Sequence, residues 1–201
     1  MLNKPQTFIF FGRSGCGKGT QLKLLRDYLK TIDQDRKHFA FSTGDGFREL
    51  FEKDSYSSNL AKAITDKGEL QPLFLTISLW GNAFLDKLEK DNHVFIDGYP
   101  RRETESLVLD SAIKFYKRNE VIIIDFIVSR ETSKKRMLLR GRADDTEENT
   151  ETRLNWYDRD VIPAIKYLKN QPGYIYIEID GEKCIEDIHK DIINKVSPYF
   201  S

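Results

Sequence analysis

A glycine-rich segment near the N-terminus carries the strongest chemical signal in the sequence. Residues 12–20 read Gly-Arg-Ser-Gly-Cys-Gly-Lys-Gly-Thr, and they lie between a short apolar run and a segment with leucines at helical spacing. Where a loop joins a strand to a helix, glycines let successive backbone N–H groups point at one anion, and a nearby lysine adds a mobile positive charge. The segment therefore predicts a phosphate-binding loop with Lys18 as its cation.

The loop departs from the strict G-x-x-x-x-G-K-[ST] pattern at its last position. Gly19 stands where the pattern has a metal-binding hydroxyl, and Thr20 comes one residue later. Asp97 ends an apolar run farther along the chain, so it is the natural partner of a magnesium ion, held through water. The alternatives are a strand-to-helix turn with an incidental lysine and, for Asp97, an ordinary turn residue at a strand end.

The composition is that of a soluble globular protein with one domain. The chain has 201 residues, 39% of them hydrophobic, and its 32 Lys and Arg residues balance 32 Asp and Glu residues. This balance gives no overall positive field to attract nucleic acid or anionic lipid. Cys16 and Cys184 are too few for a four-thiolate zinc site or a disulfide framework. The apolar runs are too short for a signal peptide or a membrane span, so we expect a cytoplasmic protein that binds neither nucleic acid nor membranes.

Five short apolar runs predict the strands that must position these residues. They comprise residues 7–11, 38–42, 93–96, 121–128 and 174–179, and helical patterns lie between them. Runs without polar alternation are typical of strands covered on both faces. The chain is therefore predicted to be an α/β protein with a P-loop fold, in which helices flank a five-stranded parallel sheet.

The segment between the second and third strands is longer than a simple crossover requires. Residues 46–90 are predicted to be helical throughout, with Ser57 or Ser58 as an N-cap and Pro72 in a first turn. Part of this segment is expected to stand off the sheet as a small helical subdomain.

Other features are assigned to the scaffold. A helix is predicted over residues 147–169, with a kink at Pro163. The three histidines are interpreted as structural: His38, His93 and His189.

Several motifs resemble those of adenylate kinases and their nucleoside monophosphate kinase relatives. The Gly-Lys-Gly-Thr at residues 17–20 is the form that the phosphate loop takes in that family. Residues 43–48 resemble its T-G-D-x-x-R motif, and residues 97–101 resemble its D-G-[FY]-P-R motif. Arg136, Arg140, residues 142–145 and Arg153 resemble its lid region, and residues 180–183 resemble the loop beside the ATP base. The matches follow the family order from residue 8 to about residue 195.

This resemblance implies reversible phosphoryl transfer from ATP to a nucleoside monophosphate, with AMP as the expected acceptor, Mg²⁺ accompanying ATP and no zinc. It also implies a monomer formed by one domain over residues 1–201, with a helical monophosphate-binding subdomain at about 43–72 and a very short lid at about 140–146. The alternatives are a kinase for GMP or a pyrimidine monophosphate, and a nucleotide-binding sensor that has lost catalysis.

The resemblance also assigns roles to individual residues. A guanidinium fork matches phosphate oxygens bidentately, so converging arginines suit a site that gathers several phosphates. The catalytic set is Lys18, Arg101, Arg140, Arg142 and Arg153. The ATP-binding set is Gly15, Cys16, Gly17, Lys18, Gly19, Thr20, Arg136, Arg140 and Lys183. The monophosphate-binding set is Thr43, Gly44, Arg48, Glu69, Leu70, Gln71, Gly98, Arg101, Glu105, Arg142 and Arg153. Asp144 and Asp145 are expected to brace the lid arginines or to cap the helix that begins near Glu147.

Some residues depart from the family pattern. Arg13 and Ser14 stand where the family's loop commonly has a smaller, proline-containing pair of residues. Gln71 stands where the family usually has an aliphatic residue near the base. Glu105 stands where adenylate kinases usually carry a glutamine that reads adenine. A carboxylate only accepts hydrogen bonds, so it would forfeit the bond to adenine N1, and we expect Glu105→Gln to improve AMP turnover. The alternative is that Glu105 turns to solvent and backbone groups read the base.

Overall fold

The computed structural model describes residues 2–200, so only Met1 and Ser201 of the predicted domain lie outside it. The described chain forms five strands, β1 (Thr7–Gly12), β2 (His38–Ser42), β3 (His93–Asp97), β4 (Val121–Ile127) and β5 (Tyr174–Asp180). They make one parallel sheet in the order β2-β3-β1-β4-β5. The predicted five-stranded parallel sheet is confirmed.

Helices connect the strands and cover both faces of the sheet. Their bounds are α1 (Lys18–Ile32), α2 (Thr43–Phe51), α3 (Tyr56–Thr65), α4 (Leu73–Lys87), α5 (Glu103–Phe115), α6 (Arg130–Arg140), α7 (Glu147–Trp156), α8 (Ile162–Lys169) and α9 (Ile185–Val196). A π-helical turn (Tyr157–Val161) joins α7 to α8, and a 3₁₀ turn (Ser197–Tyr199) follows α9. No helix within residues 2–200 is long and apolar enough to span a lipid bilayer.

Two apolar cores lie on opposite faces of the sheet. Successive side chains of a strand point to opposite faces, so Ile9 packs towards α4, α5 and α8 while Phe8 packs towards α1 and α9. The inner strands β3, β1 and β4 are buried at nearly every position, so they need apolar residues at consecutive positions. The edge strands β2 and β5 include exposed positions. The absence of polar alternation is therefore explained for the three inner strands.

Residues 46–90 are mostly helical, but the predictions of helix throughout the segment and of Ser57 or Ser58 as an N-cap were wrong. Three helices, α2 to α4, occupy the segment, and Ser55 caps α3 by accepting a bond from the Ser58 N–H at 3.2 Å. Gly68 lies in the turn that follows α3, and its φ of +68° is a left-handed conformation that an α-helix cannot contain. Pro72 precedes the first residue of α4 instead of lying in its first turn.

The predicted helical segment over residues 147–169 is present as α7, the π-helical turn and α8, which follow one another without a gap. The π-helical turn immediately precedes the first turn of α8, which contains Pro163. Proline has no N–H to continue the ladder of hydrogen bonds, so an irregular turn at this point is physically reasonable.

A histidine pair lies at the amino ends of β2 and β3, with His93 buried and His38 partly buried. His93 accepts a bond from the Gln6 N–H at 2.9 Å, and its other ring nitrogen lies 3.2 Å from an Asp33 carboxylate oxygen. The His38 ring stands edge-on to it, with the centroids 5.2 Å apart. Burial, followed by the charge of His38, lowers the pKa of His93 to about 4. Burial, followed by the charge of Arg26, lowers the pKa of His38 to about 4.

These depressed pKa values predict a loss of stability in mild acid. The unfolded chain takes up protons on both histidines below about pH 6.5, whereas the folded chain does so only near pH 4. The free energy of unfolding should therefore fall between these pH values, by up to about 1.4 kcal/mol per pH unit for each histidine. Urea unfolding as a function of pH measures this slope.

His38→Phe separates this effect from general acid denaturation. Both ring nitrogens of His38 are buried without a partner among the described residues, and phenylalanine removes them together with one titrating group. The variant should show a shallower pH dependence and greater stability than the wild type near the acid end of the window. Parallel curves for the two proteins would contradict the assignment.

Candidate active site

A cavity of about 600 Å³ opens at the carboxyl ends of β1 and β3. It gathers residues from the glycine-rich loop, the start of α2, the turn after β3 and the end of α6, and its charged residues are mostly cationic. Its lining comprises Ser14, Gly15, Gly17, Lys18, Gly19, Thr20, Ser42, Gly44, Asp45, Arg48, Asp97, Gly98, Arg101, Arg136, Arg140 and Arg142. Such a concentration of arginine and lysine suits a ligand with several negative charges.

The glycine-rich loop has a backbone that only glycine fits at two positions. Gly12 has φ of +137°, and a Cβ there would lie 2.7 Å from the Cys16 Sγ. Gly15 has φ of +83°, and a Cβ there would lie 2.8 Å from the Ser133 carbonyl oxygen of α6. The loop leads into α1, whose start has no side-chain cap, so the first N–H groups of the helix are available to an anion.

Lys18 is the first residue of α1, and its side chain folds back onto the glycine-rich loop. Its ammonium donates to the carbonyl oxygens of Gly12, at 2.6 Å, and Arg13, at 3.1 Å. The side chain also lines the cavity. The ammonium group is thus held beside the cavity by neutral carbonyl acceptors and not by a carboxylate.

The lid arginines converge on one buried carboxylate. Asp145 accepts bonds from Arg140 at 2.7 and 2.9 Å and from Arg153 at 3.0 Å, and Asp144 also pairs with Arg153. Burial acts to raise the pKa of Asp145, but the bonds from Arg140 hold that pKa below its ordinary value. The expectation that the two aspartates brace the lid arginines is confirmed.

The other expectation for these aspartates, capping of the next helix, was wrong. Thr146 is the N-cap of α7, and its hydroxyl accepts a bond from the Asn149 N–H at 3.2 Å. The aspartates are occupied by the arginines, which leaves the cap to the residue next in sequence.

Arg142 extends into the cavity from the short connection between α6 and α7. Its guanidinium makes no hydrogen bond to the part of the chain that the structure describes. Burial, and then the charges of Arg140 and Arg48, lower the pKa of Arg142. A guanidinium that lines the cavity without a hydrogen-bond partner is available to bind an anionic ligand.

Arg101 and Arg48 approach the cavity from the other side. The Arg101 Nε donates to the Gly98 carbonyl at 2.9 Å, and its guanidinium lies over the Trp156 ring at 5.3 Å. Burial lowers the pKa of Arg101. Arg48 pairs with the exposed Asp45, one turn earlier in α2.

Asp97 fits the expected metal role. Its Oδ1 atom is buried in the cavity wall and has no partner among residues 2–200. A buried carboxylate oxygen without a partner is costly, so a water or a hydrated cation is its natural occupant. Within the same residues, no three His, Cys, Asp or Glu side chains lie close enough to hold a metal ion by themselves.

Other predicted site residues do not line the cavity. Cys16 is buried in the core beneath the loop, and the Thr43 hydroxyl donates to the Gly98 carbonyl at 2.8 Å. The Gln71 amide donates to the Ala61 carbonyl at 2.7 Å, so its side chain turns towards α3. Four further predicted residues are not in its lining. Arg153 pairs with Asp144 and Asp145, the Lys183 ammonium lies 3.9 Å from the Asp180 carboxylate, and Glu69 and Leu70 line a separate cleft of about 370 Å³.

Glu105 faces neither the cavity nor solvent. The residue is 1% exposed, its Oε2 accepts from the Arg101 backbone N–H at 2.6 Å, and its Oε1 accepts from Arg102 at 3.3 Å. Arg102 also donates to the Gln71 carbonyl at 2.9 Å. The alternative of a solvent-facing Glu105 was therefore wrong. Arg102 was missed from the sequence, although its spacing of three from Glu105 in one helical turn was a usable signal.

Comparison with known proteins agrees with the motifs. The family model described as adenylate kinase matches residues 10–172. An adenylate kinase of Prochlorococcus marinus (strain MIT 9515) is 34% identical over 190 residues, which cover 94% of this chain and 97% of that protein. Adenylate kinase 1 of Schistosoma mansoni is 34% identical over 188 residues, which cover 90% of this chain and 88% of that protein. This extent of matching, together with the phosphate loop and the converging arginines, means that the chain belongs to the adenylate kinase family.

Proposed function

We propose that this protein catalyses the reversible transfer of a phosphoryl group from ATP to AMP, giving two ADP. The observation that carries the proposal is that one cavity is lined by Lys18 of the phosphate loop together with Arg48, Arg101, Arg140 and Arg142. Membership of the adenylate kinase family supports the same reaction. Its place of action is proposed to be the cytoplasm, and its working form a monomer.

Phosphoryl transfer needs positioning and charge neutralisation more than acid–base chemistry. The attacking phosphate oxygen of AMP is already anionic, so no side chain has to remove a proton from it. Arg48 and Arg101 would hold the acceptor phosphate, while Lys18 and Arg140 would hold the phosphates of ATP. Cations placed where charge develops stabilise the transition state directly.

The short lid is proposed to deliver Arg142 and Arg153 between donor and acceptor. Arg140 and Arg153 share the Asp145 carboxylate, and the Arg142 guanidinium has no hydrogen-bond partner within residues 2–200. Binding of ATP and AMP would bring phosphate oxygens that compete with Asp145 for the same guanidinium groups. The lid at about 140–146 and the monophosphate-binding subdomain at about 43–72 would then close on the substrates.

Arg136 and Lys183 are proposed to lie beside the base of ATP. Arg136 donates to the Gly181 carbonyl at 2.8 Å, which brings this helix against the loop at residues 180–183. Asp97 would hold magnesium through water, and the bound metal would neutralise charge on the phosphates. Gly19 lacks the hydroxyl that the strict loop pattern has at its position, and Asp97 has a buried carboxylate oxygen without a partner among residues 2–200, which supports Asp97 in this role.

Recognition of the acceptor base is proposed to rely on the backbone of residues 69–71. The Glu105 carboxylate is occupied by Arg101 and Arg102, and the Gln71 side chain turns away from the cavity. Membership of the adenylate kinase family supports AMP as the preferred acceptor. Because backbone groups would discriminate less between bases than a side-chain amide does, we propose only modest selectivity for AMP over other monophosphates.

A coupled assay of ADP formation tests the reaction and the acceptor together. ATP with magnesium is offered with AMP, GMP, CMP, UMP or dTMP, and kcat/KM is compared among the acceptors. AMP should give the highest value. A preference for GMP would contradict the acceptor assignment, and acceptor-independent ATP loss alone would contradict phosphoryl transfer to a nucleotide.

Lys18→Ala and Arg153→Ala should each lower kcat by roughly 10²–10³, the scale for removing one electrostatic partner of the transition state. Both variants should remain folded, although Arg153→Ala should be less stable than the wild type because Asp145 loses one of its two arginine partners. Lys30→Ala is the matched control, because Lys30 lies exposed on the same helix as Lys18 and pairs with Asp27. Near wild-type turnover in either folded test variant would show that the proposed phosphate site is wrong.

The contacts of Glu105 reverse the expectation drawn from the sequence for Glu105→Gln. The amide oxygen can still accept the Arg101 N–H, but the charge that holds Arg102 is lost. We predict that kcat/KM for AMP falls by a few-fold to about tenfold, the scale of ~1 kcal/mol, and that the AMP-to-GMP ratio is unchanged. Steady-state kinetics with both acceptors measure this.

Glu103→Gln provides the control, since Glu103 is an exposed carboxylate in the same first turn of α5. It should leave both acceptors unaffected. A changed AMP-to-GMP ratio in Glu105→Gln would mean that Glu105 reads the base after all.

A further inference from the structure

Asp158, in the π-helical turn after α7, lies between two arginines from different parts of the chain. Its Oδ1 accepts a bond from Arg13 at 2.7 Å, and its Oδ2 accepts one from Arg130 at 2.5 Å. Arg13 belongs to the phosphate loop, and Arg130 is the first residue of α6. One carboxylate therefore connects three segments, and π-helical turns are often found at functional sites.

Arg13 contacts both Asp158, through its guanidinium, and Lys18, through its backbone carbonyl. The Arg13 guanidinium also donates to the Val128 carbonyl at 2.8 Å and lies over the Tyr157 ring at 5.1 Å. The carbonyl oxygen of Arg13 accepts the bond from the Lys18 ammonium at 3.1 Å. The side chain of Arg13 thus fixes the residue whose backbone holds the principal cation of the loop.

The Arg130 side leads to the lid arginines. Arg130 begins the helix that carries Arg136 and Arg140, and it donates to Glu151 at 3.2 Å and Asn155 at 2.8 Å on α7. Arg153 lies on α7 between these two partners. The cations on the loop, on α6 and on α7 are therefore joined through Asp158 and its two arginines.

We propose that Asp158 is a positioning residue for phosphoryl transfer, which holds the phosphate loop in register with α6 and α7 through Arg13 and Arg130. The proposal rests on the function proposed above. An isolated exposed ion pair contributes little, but a network of several charges with one shared carboxylate can fix geometry. Because small displacements of catalytic groups reduce rates strongly, loss of this link should appear in ATP binding and in kcat.

Asp158→Asn tests the proposal, with Asp160→Asn as its control. Asp160 lies in the same π-helical turn but pairs with the exposed Arg159. Asp158→Asn should weaken binding of a non-hydrolysable ATP analogue by about fivefold or more in calorimetry and lower kcat by a similar factor. The KM for AMP should change less than about twofold, and Asp160→Asn should match the wild type in every measurement.

A double-mutant cycle with Arg13→Ala distinguishes positioning from general destabilisation. If the two residues act as one link, the double variant should lose affinity for the ATP analogue by no more than about twofold beyond the single variant with the larger loss. Losses that multiply, or identical behaviour of the Asp158 and Asp160 variants, would overturn the proposal. If Asp158→Asn does not fold, Arg13→Ala and Arg130→Ala carry the same test on analogue affinity.

The affinity measurement also separates this proposal from the proposed reaction. A wild type that binds the ATP analogue but makes no ADP would contradict the proposed function. The effect of Asp158→Asn on analogue affinity would still support or overturn the positioning role.

Discussion

The structure depends on holding many positive charges close together before any phosphate is bound. Arg140 and Arg153 would repel each other, but both bind Asp145, whose carboxylate is buried between them. Lys18 instead uses two loop carbonyls. These internal acceptors let the cations stay near their working positions, so little reorganisation is needed when substrate charge arrives.

The parallel sheet brings these charged groups together at one edge. Parallel strands bring their carboxyl ends to one edge, so the phosphate loop after β1 and Asp97 at the end of β3 lie side by side. Glycines 12 and 15 let the loop pack against the core and α6 without side chains in between. The lid arginines come from α6 and α7, which are tied to the loop through Asp158. Rigid strands place one set of cations, and short helical connections place the other.

Much of this could be predicted from the sequence, because the strands and the loop are determined locally. A strand covered on both faces needs consecutive apolar residues, and the phosphate loop needs its glycines in a fixed order. The break after α3 could not be predicted in the same way, since Gly68 acts through its left-handed backbone and its close approach to Asn149. The direction of the Glu105 side chain could not be predicted either, because it depends on the neighbouring Arg102 and on the backbone N–H of Arg101. Side-chain contacts of this kind are set by tertiary packing.

The most direct test of the central claim is a crystal structure of the protein with magnesium, a non-hydrolysable ATP analogue and AMP bound together. We predict that the guanidinium groups of Arg140 and Arg153 exchange Asp145 for phosphate oxygens, with Lys18 moved from the loop carbonyls to the phosphates of ATP. Nucleotides bound in the cavity while both arginines remain paired with Asp145 and Lys18 remains on the loop would contradict it.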